Sequence, residues 1–336
     1  IVREDRYNEV VVTSFIRLLA NCPDEKKWET VYAAMRENKS PLVRAAAASS
    51  LNGNLSEKAK EALVAAAADK LRLVRVSAAA SLAGCEDARF SEAENPIVDK
   101  ATDEYLKSMV ARPDDWSSHY NLGIYHQNQG NPNKALASYE TAVRLYPESL
   151  MPLINSSVLY SYIGNNAKAE ENLKKAVEID PGNEAANLNL GLLLAEQGKL
   201  QEAEKALKAT LAENPEQAVA AYNLSVIVSQ SNMDEALKYA GVAAEAQPEN
   251  PKYAYTLAYY QMENGQKSIA EKTLKQLIAD HPQYLSAVSF LADIYMRDGR
   301  MKEAEALYEK ALQTQGISPS DKQALQQALN SIRNAG

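Results

Sequence analysis

The sequence predicts an all-α protein, a solenoid of stacked helical hairpins, and three observations predict it. Pro113, Pro147, Pro181, Pro215, Pro248 and Pro282 recur at intervals of 34, 34, 34, 33 and 34 residues, and a fixed period of that size marks a helix-turn-helix array. A second repeat precedes it: the segment PLVRAAAASSL at 41–51 is echoed by RLVRVSAAASL at 72–82, with Val43-Arg44 and Val74-Arg75 31 residues apart. The composition is rich in Ala and low in Gly, with few β-branched runs, so almost no sheet is expected.

Each element follows from the chain in order. Asn8–Ala20 reads as a helix with Val11, Phe15, Leu18 and Leu19 on one apolar face. Asp24 is placed to cap a second helix running to Glu37, with Trp28, Val31, Tyr32 and Met35 inward. The two V-R segments follow, with Ser56–Ala68 as the helix between them. Residues 84–96 are polar and acidic, contain Gly84 and Pro96, and read as a linker. Ile97–Ala111 reads as a helix, and its Ala101, Tyr105 and Pro113 fall where the later repeats place their landmarks, so 97–115 reads as half a repeat joining two arrays.

Six repeats then cover 116–149, 150–183, 184–217, 218–250, 251–284 and 285–318. Gly123, Ser157, Gly191 and Ser225 keep one helix thin where its partner must approach. Gly130, Gly164, Gly198, Gly265 and Gly299 stand where the first helix ends, where a left-handed cap favours Gly. Ala135, Ala169, Ala203, Ala236, Ala270 and Ala304 mark the tightest contact of the second helix, which the closing proline ends. The fourth repeat is one residue short at 230–232, and the sixth carries Gly316 in place of its proline. Residues 319–336 read as a capping helix, apolar along Leu325, Leu329 and Ile332 and polar opposite.

These landmarks resemble those of the tetratricopeptide repeat, and the V-R-x-x-A-A-x-x-L pattern over 1–83 resembles HEAT-like repeats of the short bacterial kind. The HEAT resemblance implies that Arg44 and Arg75 tie each repeat to an acidic residue of its neighbour, Asp69 being one candidate. The order of the parts is similar to the C-terminal region of bacterial multihaem c-type cytochromes that carry tetratricopeptide repeats. That resemblance implies an exported protein, periplasmic or extracellular, working beside a c-type cytochrome in electron transfer. The haem-binding C-x-x-C-H motif of that family is absent here, so the chain is expected to be the repeat portion or a relative without haem.

Composition removes several classes of function. The net charge is −8, and residues 1–112 are balanced, so the excess acidity lies in the tetratricopeptide part. An acidic surface without a basic stripe argues against nucleic acid. No stretch approaches the roughly 20 apolar residues of a membrane span. The chain begins at Ile1 rather than Met and reads as a processed or excised segment. Cys22 and Cys85 form no metal or redox motif and read as small buried side chains, a single bridge between them being the alternative. No nucleophile elbow, phosphate loop or zinc signature is present, so a non-enzyme without a cofactor is expected. His119 and His126 share a helix face, seven apart, at positions that pack between paired helices; they read as core histidines. A haem-holding accessory with one of them as ligand is the alternative.

The tetratricopeptide resemblance implies that positions 2, 5, 9 and 12 of each first helix face a concave groove. Here they include Tyr120, Ile124, Met151, Ile154, Val158, Leu188, Leu192, Val219, Tyr222, Val226, Tyr255, Tyr259, Met262 and Met296. The stripe is apolar and aromatic, as in adaptable interaction surfaces. Chaperone-type adaptors of the family hold a terminal carboxylate with basic residues at these positions; Tyr120, Ile154 and Leu188 stand there instead, with only Lys252 basic, so that clamp is not expected. A scaffold that binds an apolar or helical segment of a protein partner is the leading expectation, with a general assembly or co-chaperone-type adaptor as a further alternative beside the haem-holding accessory.

Overall fold

The computed structural model describes residues 7–54, 56–83 and 90–335. Among them are nineteen α-helices and no strand, and no helix is long and apolar enough to cross a membrane. The chain divides into two compact units, Ile1–Asn165 and Asn166–Gly336.

The first unit begins with α1 (Glu9–Ala20) and α2 (Lys27–Glu37). Asn8 caps α1, its Oδ1 accepting from the Val10 amide at 2.8 Å. The buried face of α1 is Val12 and Ile16 with Leu19 packed beside them, against α3, and not the face predicted. Val11, Phe15 and Leu18 are exposed. The helix is apolar nearly all round, so periodicity alone left its register open by about one residue. Asp24 does not cap α2; it accepts from the Lys26 amide at 2.9 Å and shapes the preceding turn.

Helices α3 (Pro41–Ser49), α4 (Glu57–Ala67, capped by Ser56) and α5 (Arg72–Leu82) form the V-R repeats. Arg44 donates through Nε and Nη2 to the Asp69 carboxylate at 2.8 and 3.1 Å, and through Nη1 to the carbonyls of Asn38 and Lys39. Arg75 repeats this: its fork holds Glu104 at 2.9 and 2.8 Å, and its Nη1 holds the carbonyls of Asp69 and Lys70. A planar guanidinium suits such bidentate capture, and the hydrogen bond from each arginine lowers the pKa of Asp69 and of Glu104.

Glu104 belongs to α6 (Asn95–Val110). The linker therefore ends earlier than predicted, because Pro96 opens this helix, where its missing N–H costs nothing. Of the predicted linker, 84–89 with Cys85 lie outside the described residues, and 90–94 form the approach to α6, where Glu94 accepts from the Ser91 amide at 2.8 Å. Val98 and Ala101 of α6 are buried in the core of the V-R helices, and α6 also packs on α7. Three further helices complete the unit: α7 (Trp116–Asn128), α8 (Pro132–Leu145) and α9 (Leu150–Tyr162).

The second unit holds α10 (Asn166–Ile179), α11 (Glu184–Glu196), α12 (Leu200–Glu213), α13 (Ala218–Val228), α14 (Met233–Ala246), α15 (Pro251–Glu263), α16 (Lys267–Asp280), α17 (Leu285–Arg297), α18 (Met301–Leu312) and α19 (Pro319–Ala335). The five predicted cap glycines all have φ of 66–80°, a region costly for other residues. In α7 and α11 glycine serves a different need. A Cβ on Gly123 would lie 2.4 Å from the Tyr139 ring, and one on Gly191 2.7 Å from Leu207 Cγ. The six contact alanines are fully buried. In the short fourth repeat α13 has 11 residues against 13 for α15, and the amides of Ser231 and Asn232 turn the chain on the Val228 carbonyl without a left-handed glycine.

Ion pairs staple successive hairpins of this unit: Glu170 with Lys174 and Lys199, Lys208 with Glu204 and Glu235, and Arg300 with Glu271 and Glu303. At its end, Leu325, Leu329 and Ile332 of α19 are buried in the last core, while Arg333 reaches Glu305 and Glu309 on α18.

Candidate groove and its aromatic cluster

The predicted stripe falls in both units, and each part has its own character. In the first unit Met151 and Val158 are exposed, and Tyr120 and Ile124 are half-buried. Ile154 is buried, which removes it from the accessible surface. Tyr120 is committed to the protein: its ring lies 5.9 Å from the buried Tyr139 ring, and its hydroxyl accepts from Asn155 Nδ2 at 3.3 Å. Trp116 packs on Tyr120 and Tyr146 beside it, at 6.5 and 5.5 Å. Burial pushes the Tyr139 phenol up to about 12, and it donates to Gln127 Oε1 at 2.9 Å.

In the second unit Leu188, Leu192, Tyr222, Tyr255 and Met262 are half-buried, and Val226 and Tyr259 are exposed. Tyr222, Tyr255, Leu188 and Met262 pack on buried clusters as well as reaching the surface. Ring contacts run from helix to helix. Tyr222 of α13 meets Tyr253 of α15 at 5.0 Å. Tyr255 meets Tyr284 at 5.8 Å and Phe290 of α17 at 5.7 Å, and Tyr259 meets Phe290 at 6.2 Å. Tilted and edge-on geometries of this kind suit the aromatic quadrupole. Lys252 Nζ stands 4.5 Å from the Tyr222 ring centre, a cation–π contact.

Scanning positions 2, 5, 9 and 12 missed Tyr253, Tyr284 and Phe290. The visible signal for Tyr253 was density: tyrosines at 253, 255, 259 and 260 fall within about two turns of one helix. Among the described residues, the hydroxyls of Tyr222, Tyr253, Tyr255, Tyr259 and Tyr284 have no hydrogen-bond partner in the protein, yet none is a buried orphan. The hydroxyls of Tyr222, Tyr255, Tyr259 and Tyr284, on half-buried or exposed residues, are open to a ligand, whereas Tyr253 is itself buried. Burial raises the Tyr284 phenol, with Tyr255 adding to the rise and Lys252 opposing it.

The histidines are half-buried rather than fully in the core. His119 Nε2 donates to the Pro113 carbonyl at 3.0 Å. Asn187 Nδ2 makes the same bond to Pro181 at 2.9 Å from the same register position, so this is a repeat-closing contact. His281 Nε2 likewise donates to Pro248 at 2.9 Å. His126 rests edge-on against Tyr125 at 5.6 Å, and burial, with Lys134 nearby, lowers its pKa. Among the described residues no group of three His, Cys, Asp or Glu is placed to hold a metal ion.

Family models described as tetratricopeptide repeat match residues 116–149, 164–224 and 255–322. The V-R segments lie outside these matches. No curated protein matches the chain. Among solved structures, one of MamA 41-end from Desulfovibrio magneticus RS-1 is 19% identical, covering 50% of this chain and 97% of that one, with a TM-score of 0.45. One of pilF from Pseudomonas aeruginosa is 18% identical, covering 65% and 99%, at 0.49. One of YrrB, described as a TPR protein with an unusual peptide-binding site, is 18% identical, covering 55% and 95%, at 0.48.

Proposed function

From a chain that carries tetratricopeptide repeats, we propose a non-catalytic scaffold whose aromatic groove in the second unit docks an apolar segment of another protein. The observation that carries this is two sets of ring contacts in successive repeats, Tyr222 with Tyr253 and then Tyr255 and Tyr259 with Phe290, in which Tyr222, Tyr255 and Tyr259 reach the surface with their hydroxyls unclaimed by the protein. Rigid aromatic side chains bury much area for little lost entropy, and they dominate interface energies. Tyr259, exposed and in ring contact with Phe290, is the accessible anchor. The domain order supports an exported setting, periplasmic or extracellular, with a c-type cytochrome as the partner.

The test places a photo-crosslinking phenylalanine analogue at position 259 of the full chain, or at the exposed Lys205 on α12 as a control. Incubation with a cell-envelope extract should give a crosslinked band from 259 and not from 205. Haem staining of that band checks the cytochrome assignment. Equal crosslinking from both positions, or crosslinking from 205 alone, would sink the groove reading.

A further inference from the structure

We propose that the segment docked in this groove carries an internal acidic side chain, Asp or Glu, seated on Lys252 and flanked by apolar residues; the proposal rests on the groove reading above. Lys252 is exposed at the start of α15, and among the described residues no carboxylate pairs with it. Lys208, Lys267 and Lys275 of the same unit each hold a carboxylate. Lys252 instead lies on the Tyr222 ring. Around it stand phenols that no protein group engages, and the Tyr284 phenol feels Lys252, Tyr255 and Tyr222 together. An ammonium with neutral hydroxyl donors beside aromatic walls is a receptor for one negative charge. The apolar surround strengthens that attraction by displacing water.

The chemistry narrows the occupant. A phosphate dianion is matched by several cations, commonly arginines, and only one cation stands here. A cationic side chain meets an ammonium already on the Tyr222 face. Along the array the aromatic residues continue past Lys252 in both directions: Tyr222 belongs to the preceding repeat on α13, Tyr255 and Tyr259 follow Lys252 on α15, and Phe290 belongs to the next repeat on α17. A segment ending at its own C-terminal carboxylate on Lys252 would leave one side uncovered, so the acid belongs inside the segment.

The probe is a phage-displayed library of random dodecapeptides, panned on the full chain, with selected peptides then synthesised for calorimetry. The expected result is enrichment of peptides with an Asp or Glu between apolar or aromatic residues. Replacing that acid with its amide should weaken binding roughly tenfold, the effect of losing one hydrogen bond to a charged group. Lys252→Met should erase the difference between acid and amide, and Lys252→Arg should keep it. Lys252 is exposed, so unchanged circular dichroism of both variants is expected and is checked. Apolar peptides without an acid preference that lose affinity on Tyr259→Ser would overturn this proposal and leave the groove reading standing. Basic or C-terminally anchored peptides would overturn it too. Peptides indifferent to both Lys252→Met and Tyr259→Ser, or no enrichment, would overturn both.

Discussion

At Gly123 the absence of a single carbon is what lets Tyr139 lie against α7. A methyl group there would meet a rigid, fully buried ring at 2.4 Å. Gly123→Ala should therefore cost about 1–3 kcal/mol through forced repacking. Gly241, in the middle of α14, has nothing within 4 Å of the position its Cβ would take. The same substitution there should stabilise by about 0.5–1 kcal/mol, because it removes only glycine's extra chain entropy. Urea midpoints of the two variants should move in opposite directions; a shift of the same sign would show that the helix contacts are misplaced. Glu170 gives a second test. Lys174 and Lys199 hold its carboxyl down from 4.5 to about 2. A depressed folded pKa contributes stability above the ordinary value and loses it as pH falls toward the folded one. The advantage of wild type over Glu170→Gln should be full at neutral pH, shrink from about pH 4.5 and vanish below the folded value near 2. Both lysines are substantially exposed, so salt should reduce it. Urea midpoints measured across that range decide it, and a pH-independent difference would count against the pairing.

At the scale of the element, α19 covers the last core with three buried side chains and turns its polar residues outward. Removing 319–336 should expose that apolar face and cause self-association, visible by light scattering; a monodisperse truncated protein would make α19 an appendage. What was legible in the sequence at this scale was whatever a backbone requirement dictates. The cap glycines had to sit at positive φ and the closing prolines had to end helices, so their spacing gave repeat boundaries directly. The tie made by the arginine of each V-R segment came only from the HEAT-like resemblance, which offered Asp69, the partner of Arg44, but did not point to Glu104, the partner of Arg75. The buried face of α1 was not legible, since Val10, Val11, Val12, Phe15, Ile16 and Leu18 offer two competing faces and only packing with α3 selects one. The exposure of the predicted stripe was not legible residue by residue. Ile154, Leu188 and Tyr222 share a repeat position, yet Ile154 is buried while Leu188 and Tyr222 are half-buried. Tyr284 and Phe290 enter from positions that no groove register marks. Because Tyr222 and Tyr255 also pack on buried clusters, changing them to Ser together with Tyr259 should lower stability as well as binding, whereas Tyr259→Ser alone should chiefly affect binding.

For the whole molecule, the two compact units have distinct cores and distinct probes. Both tryptophans, Trp28 and Trp116, lie in the first unit. Their fluorescence reports that unit alone, while helical dichroism reports both. Repeat arrays owe their stability to nearest-neighbour contacts and need not unfold together. Urea unfolding curves from fluorescence and from dichroism should therefore fail to superimpose; coincident curves would show one cooperative body.

The proline carbonyls that close the repeats lend themselves to a finer readout. A carbonyl oxygen can only accept, so the Nε2 atoms facing Pro113 and Pro248 must carry hydrogen. Two of the three imidazoles are thus fixed in one tautomer, His119 in one unit and His281 in the other, and His126 has no such bond. Nitrogen-15 resonances of the rings become a pair of built-in gauges, each opening to mixed tautomers when its own hairpin junction parts, with the third ring as an internal standard.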